Sequence, residues 1–454
     1  MRSFGAFERT EVLPNSMVTS APDPAVLDRA ISRAKRRLLP FMLLMYLLAY
    51  LDRANIGYAK QAYRAATGVS EAAFAFGAGA FFVTYALFEI PSNLLLHRIG
   101  ARIWMARIMV VWGLFSAAMV FAKSDTSFSV VRLLLGAAEA GFFPGCIVYL
   151  TYWFPARARG QVMAIFYFGA PLALMLGGPL SGFLLELHGT FGLQGWQIMF
   201  LVEGLMASLV GVWVFFYLTD RPAKAAWMPP DERDALTQTI AAEELEKQGR
   251  GAVTFGAVFR NPQLLHFATI YFFIQISGYG VAFYLPTIVS NLLGQNVGLR
   301  VGLVSAIPWA FAILAGSFWP GLAMRTGYRK TFACISLSGI AVGFPLAGHL
   351  PPVFAIAALC LVTAGIITAQ PIFWTYPTTY FGGVGAAAGI ATINSLGNIG
   401  GFVAPIVKTR LEASFSSTTA GLYFLATAGF LAALLFAGLK NPPSPTPSPT
   451  AKSP

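Results

Sequence analysis

Long apolar runs alternate with short polar connectors along almost the whole chain. A helix needs about 20 mostly apolar residues to cross about 30 Å of hydrocarbon. Twelve segments meet that length: 38–59, 74–96, 103–122, 129–150, 161–187, 196–219, 264–292, 299–323, 331–348, 352–376, 384–407 and 418–439. The first run is full length, follows a polar and basic head, and has no small-residue cleavage site, so it reads as a retained span rather than a signal peptide. The longest polar interruption divides the spans six and six. Within it, 231–248 reads as a surface helix. The end of the chain, "NPPSPTPSPTAKSP", is too rich in Pro and Ser to build a core and reads as disordered. The expected organisation is a tail (1–37), a six-helix bundle (38–219), a linker (220–262), a second six-helix bundle (263–439) and a tail (440–454). The predicted fold class is therefore an all-α membrane protein of twelve transmembrane helices.

Composition agrees with this pattern and narrows the chemistry. Of 454 residues, 56% are hydrophobic and 11% charged, with mean hydropathy +0.65, whereas soluble domains carry about 25% charged residues. The net charge of +12 comes from basic clusters scattered between the runs, not from one nucleic-acid-binding patch. Counting Lys and Arg in or beside alternate connectors puts 23 on one side and 6 on the other. By the positive-inside rule both termini are then cytoplasmic. Cys146, Cys334 and Cys360 lie in apolar stretches at unrelated spacings, and the four histidines stand singly, so neither a disulfide framework nor a metal site is expected. No Gly-Lys dipeptide occurs, which removes a Walker A loop and with it an ATP-driven pump. Neither a cofactor nor enzymatic chemistry is predicted.

An internal repeat strengthens the division into halves. "HRIGARIW" after the second span and "MRTGYRKT" after the eighth carry Arg98-x-Gly100-x-Arg102 and Arg325-x-Gly327-x-Arg329, 227 residues apart. Equivalent positions in two six-span halves suggest a duplicated architecture that rocks about a central site.

Charged residues inside the spans are the strongest candidates for function, because an ionised group at mid-bilayer costs several kcal/mol and faces a bundle interior or a wet cavity. "YLDRANIG" places Asp52 and Arg53 in the first span. The fourth span, running the opposite way, carries Arg132 near its outer end and Glu139 near the midplane. By depth, Arg132 is the expected partner of Asp52. That leaves Glu139 without a cation on its own helix and makes it a candidate proton carrier. Glu89 is read as a partner of the loop arginines and Glu203 as structural. From Lys247 to the end the only acidic residue is Glu412, so the ionisable chemistry of the membrane interior belongs to the first half.

With "EIPSNLLLHRIGAR", "GAAEAGFFPGCIVYLTYWFP", "GWQIMFLVEG", "LTDRPAKAAWMPPDER", "GYGVAFYLPTIV" and "ATINSLGNIGGFVAP" added to "YLDRANIG", the chain resembles the major facilitator superfamily over roughly 38–440. Within it, the chain resembles the anion:cation symporter family, whose bacterial members include tartrate, phthalate and galactonate permeases. The resemblance implies two pseudo-symmetric six-helix bundles, alternating access, and proton-coupled uptake of a small organic anion across the inner membrane. It implies proton coupling at Asp52 and Glu139 and a substrate carboxylate at Arg53. A guanidinium suits that role because its planar fork matches a carboxylate bidentately and keeps its charge. Helices one, four, seven, ten and eleven are expected to line the cavity. Tyr50, Tyr85, Arg132, Gln275, Tyr279, Trp374 and Asn394 are the expected further substrate contacts. Arg98, Gly100, Arg102, Arg325, Gly327 and Arg329 are expected to form a cytoplasmic gate, although His97 stands where the superfamily motif has an acid. The expected partners are the anion, protons and lipid, with a monomer as the transport unit. A proton-independent anion exchanger is the alternative.

Overall fold

The computed structural model describes residues 22–248, 261–380 and 385–439; the predicted tails therefore lie wholly or partly outside the described residues, as does the end of the linker. Among the described residues the secondary structure is helical, with no strand. In the first half α1 spans Pro24–Thr67, α2 Glu71–Ile99, α3 Ala101–Ala117, α4 Asp125–Glu139, α5 Phe142–Trp153, α6 Ala156–Tyr167, α7 Gly169–Glu186 and α8 Gly195–Tyr217. Helix α9, Pro230–Gln248, is the linker helix. The second half holds α10 (Pro262–Leu293), α11 (Leu299–Thr326), α12 (Arg329–His349), α13 (Pro352–Tyr380), α14 (Gly385–Ser414) and α15 (Thr418–Ala437).

Two predicted spans are broken. The fourth is α4 followed by α5, and the fifth is α6 followed by α7. The first break falls just after Glu139, where Gly141 adopts φ 84° and lies against the Ser92 side chain. A side chain there would meet both backbone strain and a neighbour, so the motif needs glycine at this point. Among the described residues, eleven helical segments are long and apolar enough to cross a membrane. The remaining predicted span, α14, is 30 residues long but carries Asn394, Ser395, Asn398 and several glycines, which dilute its hydropathy.

Buried apolar side chains gather into two clusters. One is built almost wholly from residues 27–240 and the other almost wholly from 264–439. Between them, α7 packs on α11, α2 on α14, and α1 on α10. Shifting each of these by six spans maps the first pair onto the second and leaves the third in place, as a two-fold between duplicated halves requires. Close approach depends on small residues: a methyl at Gly178 would sit 2.6 Å from the Gly302 carbonyl oxygen, and Gly182 faces Gly298 in the same seam. Hydrogen bonds across the seam join Ser290 to Gln61 (3.3 Å) and the Leu299 amide to Glu186 (2.8 Å). These contacts lie in the half of the molecule away from the chain ends.

Candidate functional site

Consecutive helix positions differ by 100°, so the adjacent charges of α1 face different surroundings. Asp52 turns into the first bundle and is 1% exposed. Its Oδ1 accepts a hydrogen bond from Asn55 Nδ2 (3.0 Å) and another from Ser116 of α3. Its Oδ2 is buried without a hydrogen-bond partner. Glu203 of α8 is buried as well: its Oε1 accepts from Ser181 of α7 at 2.7 Å while its Oε2 is likewise unpartnered. The first bundle thus holds two buried carboxyls, each with an oxygen left over.

Arg53 lies where the first bundle packs against the second, beside the Phe82–Tyr279 contact. Its Nε and Nη2 lie 2.7 and 2.5 Å from Glu139 Oε1. The guanidinium stands 4.9 Å from the Tyr85 ring centre, 5.4 Å from that of Tyr50 and 5.5 Å from that of Phe81. The Tyr279 hydroxyl, from α10 of the other bundle, is also within its reach. Glu139 is fully buried and keeps Oε2 unpartnered.

This pairing corrects the expectation from depth. Glu139 is paired, and its partner is Arg53. Among the described residues no ion pair within 4 Å joins Arg132 to Asp52. Arg132 is 2% exposed, donates to the Gly77 carbonyl (3.2 Å) and stacks 5.1 Å from the Phe81 ring centre. The Phe81 ring is thus a shared neighbour of the two guanidiniums and attracts each of them. Depth along straight helices could not show that α4 stops at Glu139 or that a phenyl ring from α2 reaches both cations. Glu89 is also corrected: its carboxylate is buried with Oε2 unpartnered, and no ion pair to the loop arginines occurs among the described residues. Nine residues of helix, about 13 Å, separate it from Arg98.

In the second bundle, Gln275 Nε2 donates to Asn398 Oδ1 (3.0 Å) in the interior. Asn394 is half-buried one turn earlier on α14. Trp374 packs edge-on to Tyr271 at 4.9 Å, and Tyr279 packs on Phe82 of the first bundle at 4.3 Å. The predicted gate residues stand at the face of the chain ends. Gly100 (φ 100°, ψ 144°) and Gly327 (φ 77°, ψ −9°) both take positive φ but turn the chain differently. The turn at Gly100 is tied to the sixth span, since Asp220 accepts from the Arg102 amide (2.9 Å), and His97 Nδ1 bonds the Tyr152 hydroxyl (2.8 Å). Asn55 could have been found by its i+3 spacing from Asp52; Ser116, Ser181 and Phe81 could not, because only packing brings them in.

A duplicated pair of six-span bundles with buried charges near their junction defines a secondary-transporter architecture. Residues 42–405 match the model of the Major Facilitator Superfamily, and the chain belongs to that family. It is 45% identical to the inner membrane transport protein RhmT of Escherichia coli, over 92% of this chain and 96% of that one. It is 44% identical to a protein of Agrobacterium vitis named "Putative tartrate transporter", over 88% of this chain and 92% of that one. Among solved structures it resembles a bacterial homologue of the human lysosomal transporter Spinster in an inward-facing, unoccupied conformation. That likeness has a TM-score of 0.71 at 16% identity and covers 90% of this chain and 96% of the other. The chain is a multi-pass membrane transporter of the superfamily, not an enzyme.

Proposed function

We propose that the protein is a proton-coupled importer of a small organic anion of the hydroxy-, di- or aromatic carboxylate type. It works in the bacterial inner membrane as a monomer with both termini in the cytoplasm. The observation that carries this reading is the contact of Arg53 with Glu139 near the junction of the bundles. The relative named for tartrate supports the substrate class.

Charge balance supplies the mechanism. Asp52, Glu139, Arg53 and Arg132 sum to zero when all are ionised. A carboxylate entering that cluster would add an uncompensated negative charge in a low-dielectric site, at a cost of several kcal/mol. Protonation of Glu139 removes one negative charge and frees the Arg53 fork for the incoming carboxylate. Asp52 holds the second proton site, with Asn55 and Ser116 bonding its Oδ1. Tyr50, Tyr85 and Tyr279 offer hydroxyls beside the guanidinium, while Gln275, Trp374 and Asn394 present the second bundle's polar and aromatic face. An anion gripped by Arg53 and the second bundle draws the halves together, so it binds the states unequally, as alternating access demands. Release on the other side returns Glu139 to Arg53 once its proton leaves.

Uptake into proteoliposomes tests the reading. An imposed inside-alkaline gradient should drive accumulation of tartrate or another carboxylate, and a protonophore should abolish it. Accumulation that ignores the gradient and follows internal anion would identify an exchanger instead.

A further inference from the structure

A polar cavity lies away from the central charged site, where α1 enters the bundle. It has a volume of about 740 Å³ and is bounded by the first turns of α1, by Tyr217 at the end of α8 and by Trp227 in the turn before α9. Arg29, Arg33, Arg36 and Arg37 line it; these positions, spaced by three, four and seven, share a side of the helix. Two of the four are neutralised from α9. Arg33 Nε lies 2.7 Å from Glu232, and Arg29 lies 3.9 Å from both Asp231 and Glu232. Asp28, also in the wall, pairs with Arg157 at 2.7 Å. Arg36 and Arg37 have no ion pair within 4 Å among the described residues. Arg37 is stacked against Tyr217 (4.8 Å) and Trp227 (4.9 Å), and its Nε is buried with no hydrogen-bond partner.

The cavity sits at the membrane boundary, since the first apolar run begins at Leu38. Its aromatic wall continues into the bilayer. Phe41 packs on Tyr217 (4.5 Å) and Trp213 (5.1 Å). On α8, Trp213 and Phe216 turn outward, 51% and 76% exposed. Two uncompensated guanidiniums beside an outward-facing aromatic strip match an anionic phosphodiester with acyl chains below it. A soluble anion would use the first feature and leave the second without purpose. We propose that this cavity seats the headgroup of an anionic phospholipid, with Arg36 and Arg37 on the phosphate and Trp213 and Phe216 against the acyl chains. Basic residues at this level meet the negative surface of the cytoplasmic leaflet. The Lys and Arg asymmetry assigns the cavity to that side.

Native mass spectrometry of the purified full-length protein, titrated with equal amounts of phosphatidylglycerol and phosphatidylcholine, tests this. The wild type should retain phosphatidylglycerol preferentially. The double variant Arg36→Ala/Arg37→Ala should bind it roughly tenfold to thirtyfold more weakly, with phosphatidylcholine unchanged. A wild type that retains the two lipids equally overturns the proposal, whatever becomes of the variant. So does displacement of phosphatidylglycerol by millimolar inorganic phosphate, which would mark a soluble-anion site. A second readout needs no variant: phosphatidylglycerol with brominated chains should quench tryptophan fluorescence more than its phosphatidylcholine counterpart, and equal quenching would contradict the assignment.

Discussion

At the scale of single residues, the site turns on the fork of Arg53 and on which carboxylate occupies it. Arg53→Ala should weaken tartrate binding by about 2–5 kcal/mol, the usual penalty for removing one side of a buried charged pair. Arg53→Lys should recover only part of it, since an ammonium cannot make the bidentate contact. Calorimetric titration of both variants checks this, and equal affinity of Ala and wild type would exclude Arg53 as the anion's contact. Glu203 invites a separate test. Buried, with Oε1 on Ser181 and Oε2 unsatisfied, it is better placed to take a proton than a fully paired structural acid would be. Glu203→Gln should therefore change the pH profile of uptake, whereas a structural role would lower the amount of folded protein and leave the profile in place. Which ionisable residues matter was legible in the sequence, because charge is rare within the apolar runs and each exception there stands out. Their pairing was not. Partners were assigned by depth, and depth carries no information about rotation, about the stop in α4, or about Phe81 beside both Arg53 and Arg132.

At the scale of elements, two glycine positions carry predictions. Gly141 combines positive φ with contact to Ser92. Gly141→Ala should destabilise the protein by about 1–3 kcal/mol and, by shifting the end of α4, displace Glu139 from Arg53. A melting curve paired with substrate titration measures both effects. Gly178 and Gly302 bring α7 and α11 together in the half away from the chain ends. Gly178→Leu should hold that seam apart. In a Cys334→Ser background, a cysteine placed by Gln61→Cys should then be labelled faster by a membrane-impermeant maleimide. Unchanged labelling would mean that the seam tolerates a side chain. The spans and the small-residue stripes were legible because hydropathy and four-residue spacing are local. The breaks inside the fourth and fifth spans were hidden, since the apolar pattern runs through them without interruption.

At the scale of the whole molecule, the duplicated halves are unequal in chemistry. Buried carboxyls and arginines cluster in the first bundle, and the second offers amides and rings. Its sole acid, Glu412, serves Lys408 (2.6 Å) near the seam farthest from the chain ends. This division gives protons and substrate one point of competition in one bundle, with the other free to close over it. The six-plus-six architecture was readable from the linker and from the repeat at Arg98 and Arg325. The seam between halves was not readable, because it depends on which faces of α2, α7, α11 and α14 meet.

The central claim is that binding an anion requires a proton on the carboxyl that otherwise holds Arg53. Tartrate affinity should accordingly rise as pH falls, by up to about tenfold per pH unit above the titration of that carboxyl. Calorimetric titration with tartrate at one pH, in buffers of differing ionisation enthalpy, counts the protons exchanged directly. The account predicts net proton uptake on tartrate binding by the wild type, shared between Glu139 and Asp52, and a clearly smaller uptake by Glu139→Gln, which is already neutral at that position. Tight binding with no proton uptake by the wild type would contradict it.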